Sequence, residues 1–316
     1  MGDSAPGRSR KTRMNISSAL ASIPDVEFRL DEPLARHTTF RVGGPVRLLA
    51  RPRSEKALFA LLEPIRELDI PFIVLGAGSN VLAPDGPWEM SVIQLHLACN
   101  RLLRSEQRAE DQKVLYAGAG TKLQQLILYC IENGLEGLES LAGIPATVGG
   151  AIVMNASTSL GAISDSLVDI DLLGPHGERR SIRRDQLTPG YRTMGIPESS
   201  IVLGASFKLR PCSRDIVKAR VEQIIKNRRQ TQPLRFHSAG SIFKNPVGRF
   251  AGSLIEKAGL KGYRIGDAEV SRKHANWIIN RGHALARDII ELVERIENEV
   301  YGTFGVRLER EIRILE

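Results

Sequence analysis

The sequence predicts an α+β fold arranged as three domains. Length is the first ground, since 316 residues exceed one typical core and leave room for two or three. The second is a repeated alternation of short strand-like runs with amphipathic stretches. The third is that the strand-like run at 71–75 ends in a Gly-rich turn that does not go on to open a helix. A basic, polar segment over 1–20 reads as a disordered tail, followed by domains over 21–105, 106–211 and 212–316.

In the first domain, residues 46–52 read as a strand. Ser54 caps a helix running to about Asp69, and residues 71–75 form the next strand. That strand enters Gly76-Ala77-Gly78-Ser79-Asn80. The turn departs from the dinucleotide fingerprint, because Val81 occupies the third glycine position and residues 81–84 look extended. Its consecutive backbone N–H groups suit either a tight turn or an anion-binding nest.

In the second domain, residues 114–117 form a strand and Thr121 caps a helix. The helix packs through Leu123, Leu126, Ile127, Cys130 and Ile131, and Gly134 stops it after Asn133. Residues 143–155 are again Gly-rich. Gly149 and Gly150 allow close approach by a flat ring or phosphate, and Asn155 offers both a donor and an acceptor. A plain Gly-rich connector fits the same spacing. Further strands lie around Ile170, around Ile182 and over 201–209, with Pro211 closing the block.

In the third domain, a helix over 214–229 ends before Pro233. A shorter helix over 254–258, a strand over 275–280 and a helix over 286–301 follow. Ile289, Val293, Ile296 and Val300 form the core face of the last helix.

Composition removes several classes of function. No apolar run approaches the ~18 residues of a membrane span, and the N-terminus lacks the apolar stretch of a secretory signal. The three cysteines, Cys99, Cys130 and Cys212, are scattered, which fits free thiols in a reducing cytoplasm and no metal-ligand cluster. The net charge is +8, but Arg8, Arg10, Lys11 and Arg13 lie in the tail and the remaining basic residues are dispersed. That distribution suits anionic small molecules better than nucleic acid.

Seven motifs then occur together in order. They are Thr39-Phe40-Arg41-Val42-Gly43-Gly44-Pro45, the turn at 76–80, the segment 143–155 and Tyr191-Arg192, followed by Ser238-Ala239-Gly240-Ser241-Ile242-Phe243-Lys244-Asn245-Pro246, the run Val270-Ser271-Arg272-Lys273-His274-Ala275-Asn276 and Leu308-Glu309-Arg310-Glu311-Ile312-Arg313. In this combination the chain resembles the UDP-N-acetylenolpyruvoylglucosamine reductase family from about Leu30 onward. Pro246 passes almost directly to residues 251–255, as in the short, type II form.

The resemblance implies FAD bound without a covalent link between the first two domains, in the two-part flavin fold of the vanillyl-alcohol oxidase (PCMH) type. The turn carries Ser79-Asn80 and neither His nor Cys, in keeping with dissociable FAD. The implied cofactor contacts are Arg41, Gly43, Gly76, Ala77, Gly78, Ser79, Asn80, Gly143, Ile144, Thr147, Gly149, Gly150 and Asn155. The third domain would hold the UDP-sugar, with Tyr191, Lys244, Asn245 and Arg313 at the substrate.

The implied reaction is reduction of UDP-N-acetylenolpyruvoylglucosamine to UDP-N-acetylmuramate, with NADPH as co-substrate, for cell-wall precursor synthesis. Ser241 would give the proton to C2, Arg192 would grip the substrate carboxylate bidentately, and Glu311 would act as a protonated hydrogen-bond donor. Another FAD-dependent oxidoreductase of the same fold is the alternative. The chain departs from the family pattern at Ala146, at Ser157-Thr158 in place of Gly-Ala, at Met194 in place of serine and at Arg310 in place of proline.

Overall fold

A computed structural model describes residues 23–95, 98–100, 106–109 and 111–316. The basic tail and the expected boundary at Ser105 lie outside the described residues. The first sheet is built on Pro45–Pro52, whose Val46, Leu48, Leu49 and Ala50 are buried. That strand pairs antiparallel with Val26–Pro33 and parallel with Trp88–Ile93, which pairs parallel with Phe72–Val74. The helix Glu55–Glu67 forms the crossover that carries the chain from Pro45–Pro52 back to the start of the parallel strand Phe72–Val74. Ser54 Oγ accepts the Ala57 amide at 3.1 Å, as its position predicts, and Leu58, Leu61, Leu62 and Ile65 face the core.

The second sheet has six strands, all antiparallel. Its spine is Ile201–Pro211, flanked by Leu167–Leu173 and Gln112–Gly118. The helix Leu123–Glu132 starts one residue later than expected, because Lys122 is its N-cap. Gln125 Oε1 accepts the Lys122 amide at 3.2 Å, whereas the Thr121 hydroxyl is buried without a partner among the described residues. Gly134 stops the helix at φ +58° as expected. The helix Arg214–Thr231 packs on Leu123–Glu132 and sends Val221 into the same core, so it sits against the segment that precedes it.

The remaining chain builds a second large core. The helices Ala251–Lys257 and Ala286–Phe304 cover a three-stranded antiparallel sheet of Arg264–Ile265, Ala268–Val270 and Ile278–Asn280. The last helix buries Ile289, Leu292, Val293, Ile296 and Val300, and it ends at Gly305 with φ +66°. Phe40, Val42 and Leu82 join this core from the N-terminal part. Arg313–Ile314 pairs in parallel with Val81–Leu82, directly after the Gly-rich turn. Among the described residues no helix is long and apolar enough to cross a membrane.

A second tie joins the same two regions. Both carboxylate oxygens of Asp85 accept amides at the start of the last helix, Ala286 at 2.6 Å and Arg287 at 3.0 Å. A carboxylate there satisfies otherwise unpaired N–H groups and meets the positive end of the helix dipole. Asp85→Ala is expected to lower unfolding free energy by about 1 kcal/mol. Denaturant unfolding of the two proteins checks this, and equal midpoints would rule out the tie.

Candidate active site

Two Gly-rich turns face each other. A Cβ on Gly76 would come within 2.6 Å of Thr147 Oγ1, and one on Gly78, at φ +63°, within 2.3 Å of the His37 carbonyl oxygen. Both positions therefore exclude side chains: Gly76 lies against Thr147 of the second segment, and Gly78 against the backbone of His37 and Thr38. Ala77 and Ser79 are half-buried on the same turn. Residues 148–153 form a short helix that the sequence reading missed, with Thr147 Oγ1 accepting the Gly150 amide at 3.3 Å. Gly149 donates to Ala119 O at 2.9 Å, and Ile144 to Leu141 O at 3.1 Å.

The segment before the first sheet's central strand completes the cradle. Thr39 donates from its amide to Gly78 O at 3.0 Å and from its hydroxyl to Ser238 O at 2.7 Å. Gly43 O accepts the Ala35 amide at 3.0 Å. Arg41 is left-handed at φ +57°, and its side chain reaches Arg36 O at 3.4 Å. Asn155 Oδ1 is buried and accepts no bond from the described residues. Glycines that cannot carry a Cβ and an orphaned acceptor on a buried turn fit a flat cofactor with hydrogen-bonding edges.

The charged groups meet beside this cradle. Arg192 Nε donates to Glu311 Oε1 at 2.7 Å, and the Tyr191 hydroxyl reaches Glu311 Oε2 at 3.3 Å. The Arg192 guanidinium also lies over the Tyr191 ring, 5.3 Å from its centroid. Arg192 Nη1 donates to Ser157 Oγ at 2.8 Å and to Ser157 O at 3.2 Å. Two of the three guanidinium nitrogens are thus engaged within the chain. A bidentate grip on a substrate carboxylate, expected from the sequence, needs two adjacent free nitrogens, and only Nη2 lacks an acceptor among the described residues.

The backbone of Arg192 is left-handed at φ +59°, a strained conformation for a side chain of this size. The Gly190 amide donates to Thr193 O at 2.9 Å, and Asn155 Nδ2 holds Gly190 O at 3.0 Å. Met194, only 1% exposed, anchors the turn in the core, where a serine could not.

Glu311 is 9% exposed. Burial pushes its carboxyl above the usual range, opposed by Arg192, Tyr191 and Lys244. Burial also raises the Tyr191 phenol, aided by the charge of Glu311. The Glu311 amide donates to Ile242 O at 2.7 Å, and Asn80 Nδ2 donates to Glu311 O at 3.1 Å. Asn80, expected at the cofactor, is therefore also a strut for Glu311. Ser241 lies next to Ile242 on that bridged segment and forms its own bridge to Trp277. Arg310 pairs through two nitrogens with Glu297 at 2.6 and 2.7 Å, so an ion pair steadies the chain where the family pattern has proline.

The expected substrate residues are less uniform. Lys244 pairs with Glu309 at the rim. Asn245 Oδ1 accepts the Ala251 amide at 3.0 Å, which leaves its NH₂ to donate elsewhere. The Arg313 amide is bonded to Asn80 O at 3.0 Å, and its side chain is exposed. Asn276 does what no sequence signal isolated. It grips both the amide and the carbonyl of Phe243, at 3.0 and 2.8 Å, and so rigidifies the Ser241 segment.

Comparison with known proteins agrees with this arrangement. The C-terminal domain of UDP-N-acetylenolpyruvoylglucosamine reductase matches residues 232–315, and an FAD binding domain matches residues 46–183. The UDP-N-acetylenolpyruvoylglucosamine reductase of Syntrophobacter fumaroxidans is 52% identical, over 94% of this chain and 86% of its own length. That of Moorella thermoacetica is 43% identical, over 90% and 92%. The crystal structure of the Thermus caldophilus UDP-N-acetylenolpyruvylglucosamine reductase superposes with a TM-score of 0.77 at 35% identity, covering 92% of this chain and 99% of that one. The chain belongs to the UDP-N-acetylenolpyruvoylglucosamine reductase family.

Proposed function

We propose that the chain reduces the enolpyruvyl ether of UDP-N-acetylglucosamine to UDP-N-acetylmuramate, with NADPH as reductant and FAD as the bound redox group. The observation that carries this reading is the Arg192–Glu311 contact at 2.7 Å beside two bare glycine turns. FAD, when bound, supplies a hydride to C3 of the enolpyruvyl group.

The protein's own groups serve the charge and the proton. Addition at C3 places negative charge on C2 and the carboxylate. Arg192, through Nη2, stabilises that charge, and its other two nitrogens keep the guanidinium plane fixed. The developing enediolate is basic enough to take a proton from the Ser241 hydroxyl, which would complete the saturated ether. Glu311, held by burial toward its neutral form, donates a hydrogen bond without repelling the anion. Residues 76–80 and 143–155 would hold the cofactor, with Asn155 Oδ1, unpartnered among the described residues, as an acceptor for it. Lys244, Asn245 and Arg313 receive the UDP-sugar.

The direct test is NADPH oxidation by the purified protein with and without the enolpyruvyl UDP-sugar. Oxidation that depends on the sugar supports the reading, and oxidation indifferent to it contradicts the reading. Arg192→Lys keeps the charge but cannot reach Glu311, Ser157 and substrate at once. It is expected to lose at least about 3 kcal/mol of transition-state stabilisation in kcat/KM. Near-normal turnover would remove Arg192 from the mechanism.

Glu311 also leaves a mark on stability. Its folded pKa lies above its ordinary value of 4.5. Below 4.5 folded and unfolded chains both hold the proton, and its stabilising contribution is complete. As pH rises the unfolded chain ionises first, so that contribution declines until the folded carboxyl ionises too. Glu311→Gln should abolish this decline. Urea unfolding across pH checks it, and a wild type that gains stability relative to Glu311→Gln as pH rises would show the carboxylate held charged instead.

A further inference from the structure

Ser157 enters the site by an unexpected route. It stands where the family pattern carries glycine, and its hydroxyl makes the 2.8 Å contact with Arg192 Nη1 while its carbonyl takes a second N–H of the same nitrogen at 3.2 Å. A glycine could supply only the carbonyl. Glu311 holds Nε at 2.7 Å from the opposite side. Between them the two residues fix the rotation of the guanidinium about its stem and leave Nη2 as the nitrogen without an acceptor among the described residues.

Ser157 is itself held. It pairs with Ala162 in a two-residue hairpin, and Thr158 Oγ1 donates to Ser140 O at 3.2 Å. Thr158 Oγ1 also accepts the Leu160 amide at 3.1 Å, which closes the hairpin turn. Asn155, two residues earlier, carries the orphaned Oδ1 on one side and ties Gly190 O at 3.0 Å on the other. The stretch 155–158 therefore reaches from the cofactor cradle to the Arg192 turn and pins that residue at backbone and side chain.

We propose that Ser157 is a positioning residue that aims Nη2 of Arg192 at the substrate carboxylate. This rests on the reading of the site as an enolpyruvyl reductase. A rigid guanidinium loses less freedom when charge develops on the substrate than a free one does, so the gain appears in the chemical step more than in binding. The acceptor given up in Ser157→Ala bonds to a charged group, and losing such a bond corresponds to about a tenfold or greater change in rate.

The test measures turnover, half-reactions and coupling for Ser157→Ala and Ser157→Thr. Ser157→Ala should lower kcat with the UDP-sugar about tenfold or more, leave its KM within about twofold, and leave NADPH reduction of the bound flavin at the wild-type rate. Ser157→Thr keeps the hydroxyl and should recover most of the loss. Adding Ser157→Ala to Arg192→Lys should cost little more, because the arginine it positions is gone. A wild-type kcat in Ser157→Ala, equal slowing of both half-reactions, or no rescue by threonine would each overturn the proposal.

The same two residues can be tested without turnover. A double-mutant cycle of Ser157→Ala and Arg192→Lys in urea unfolding should show non-additivity, and additive losses would show that the contact does not form. A non-additive cycle together with a wild type that never oxidises NADPH with the UDP-sugar would instead sink the substrate reading, and the positioning role with it.

Discussion

The site depends on where the last residues of the chain run. Arg313–Ile314 lies in parallel beside Val81–Leu82, and the Glu311 amide is bonded to Ile242 O at 2.7 Å. One extended segment is thus held between the Gly-rich turn at 76–80 and the Ser241 segment. Glu311 is held from three directions, since Asn80 fixes its carbonyl, Ile242 its amide and Arg192 its carboxyl. Phe40, Val42 and Leu82 fill the core around Ile289 and Val293, so the same junction is sealed by apolar burial. Asp85 ties it once more at the start of the last helix.

Against this fixed carboxyl stands an arginine on a strained turn. A left-handed arginine is held in place by the bridge between Gly190 and Thr193, by Asn155 and by the burial of Met194. The side chain then has few choices, because Glu311, Ser157 and the Tyr191 ring occupy three of its approaches. The site follows a common physical logic, in which groups that meet developing charge are oriented before the charge appears. Cys99 and Cys130, by contrast, are buried thiols pushed up to about 12, with no part in it.

Much of this was legible in the chain. Turn chemistry is local, so Ser54, Gly134 and the Gly-rich segments could be read from their neighbours, and amphipathic helices announce their core faces. The failures have physical causes too. Thr121 and Lys122 are both cap candidates, each with a Gln three residues on (Gln124 and Gln125), and the pattern does not say that the Lys122–Gln125 bond is the one that forms. The helix at 148–153 is too short, and too rich in glycine, to show a period. The parallel pairing of Val81–Leu82 with Arg313–Ile314 joins residues more than two hundred positions apart, and two-residue strands carry no pattern. The donors of Arg192 were visible in the sequence, but not that Glu311 and Ser157 accept from two of its nitrogens. Ser157 itself was visible only as a departure from a family pattern.

On the proposed function, the protein's own groups serve the proton and charge of the step at the enol ether, and none of them serves reduction of the flavin. Rapid mixing of Ser241→Ala, followed by flavin absorbance, separates the two steps in one preparation. Reduction by NADPH should proceed as in the wild type, while reoxidation by the enolpyruvyl UDP-sugar slows by roughly 10²–10⁴-fold, the loss expected for a general acid. Unchanged reoxidation would contradict the assignment of Ser241, and equal slowing of both steps would show that its role is structural.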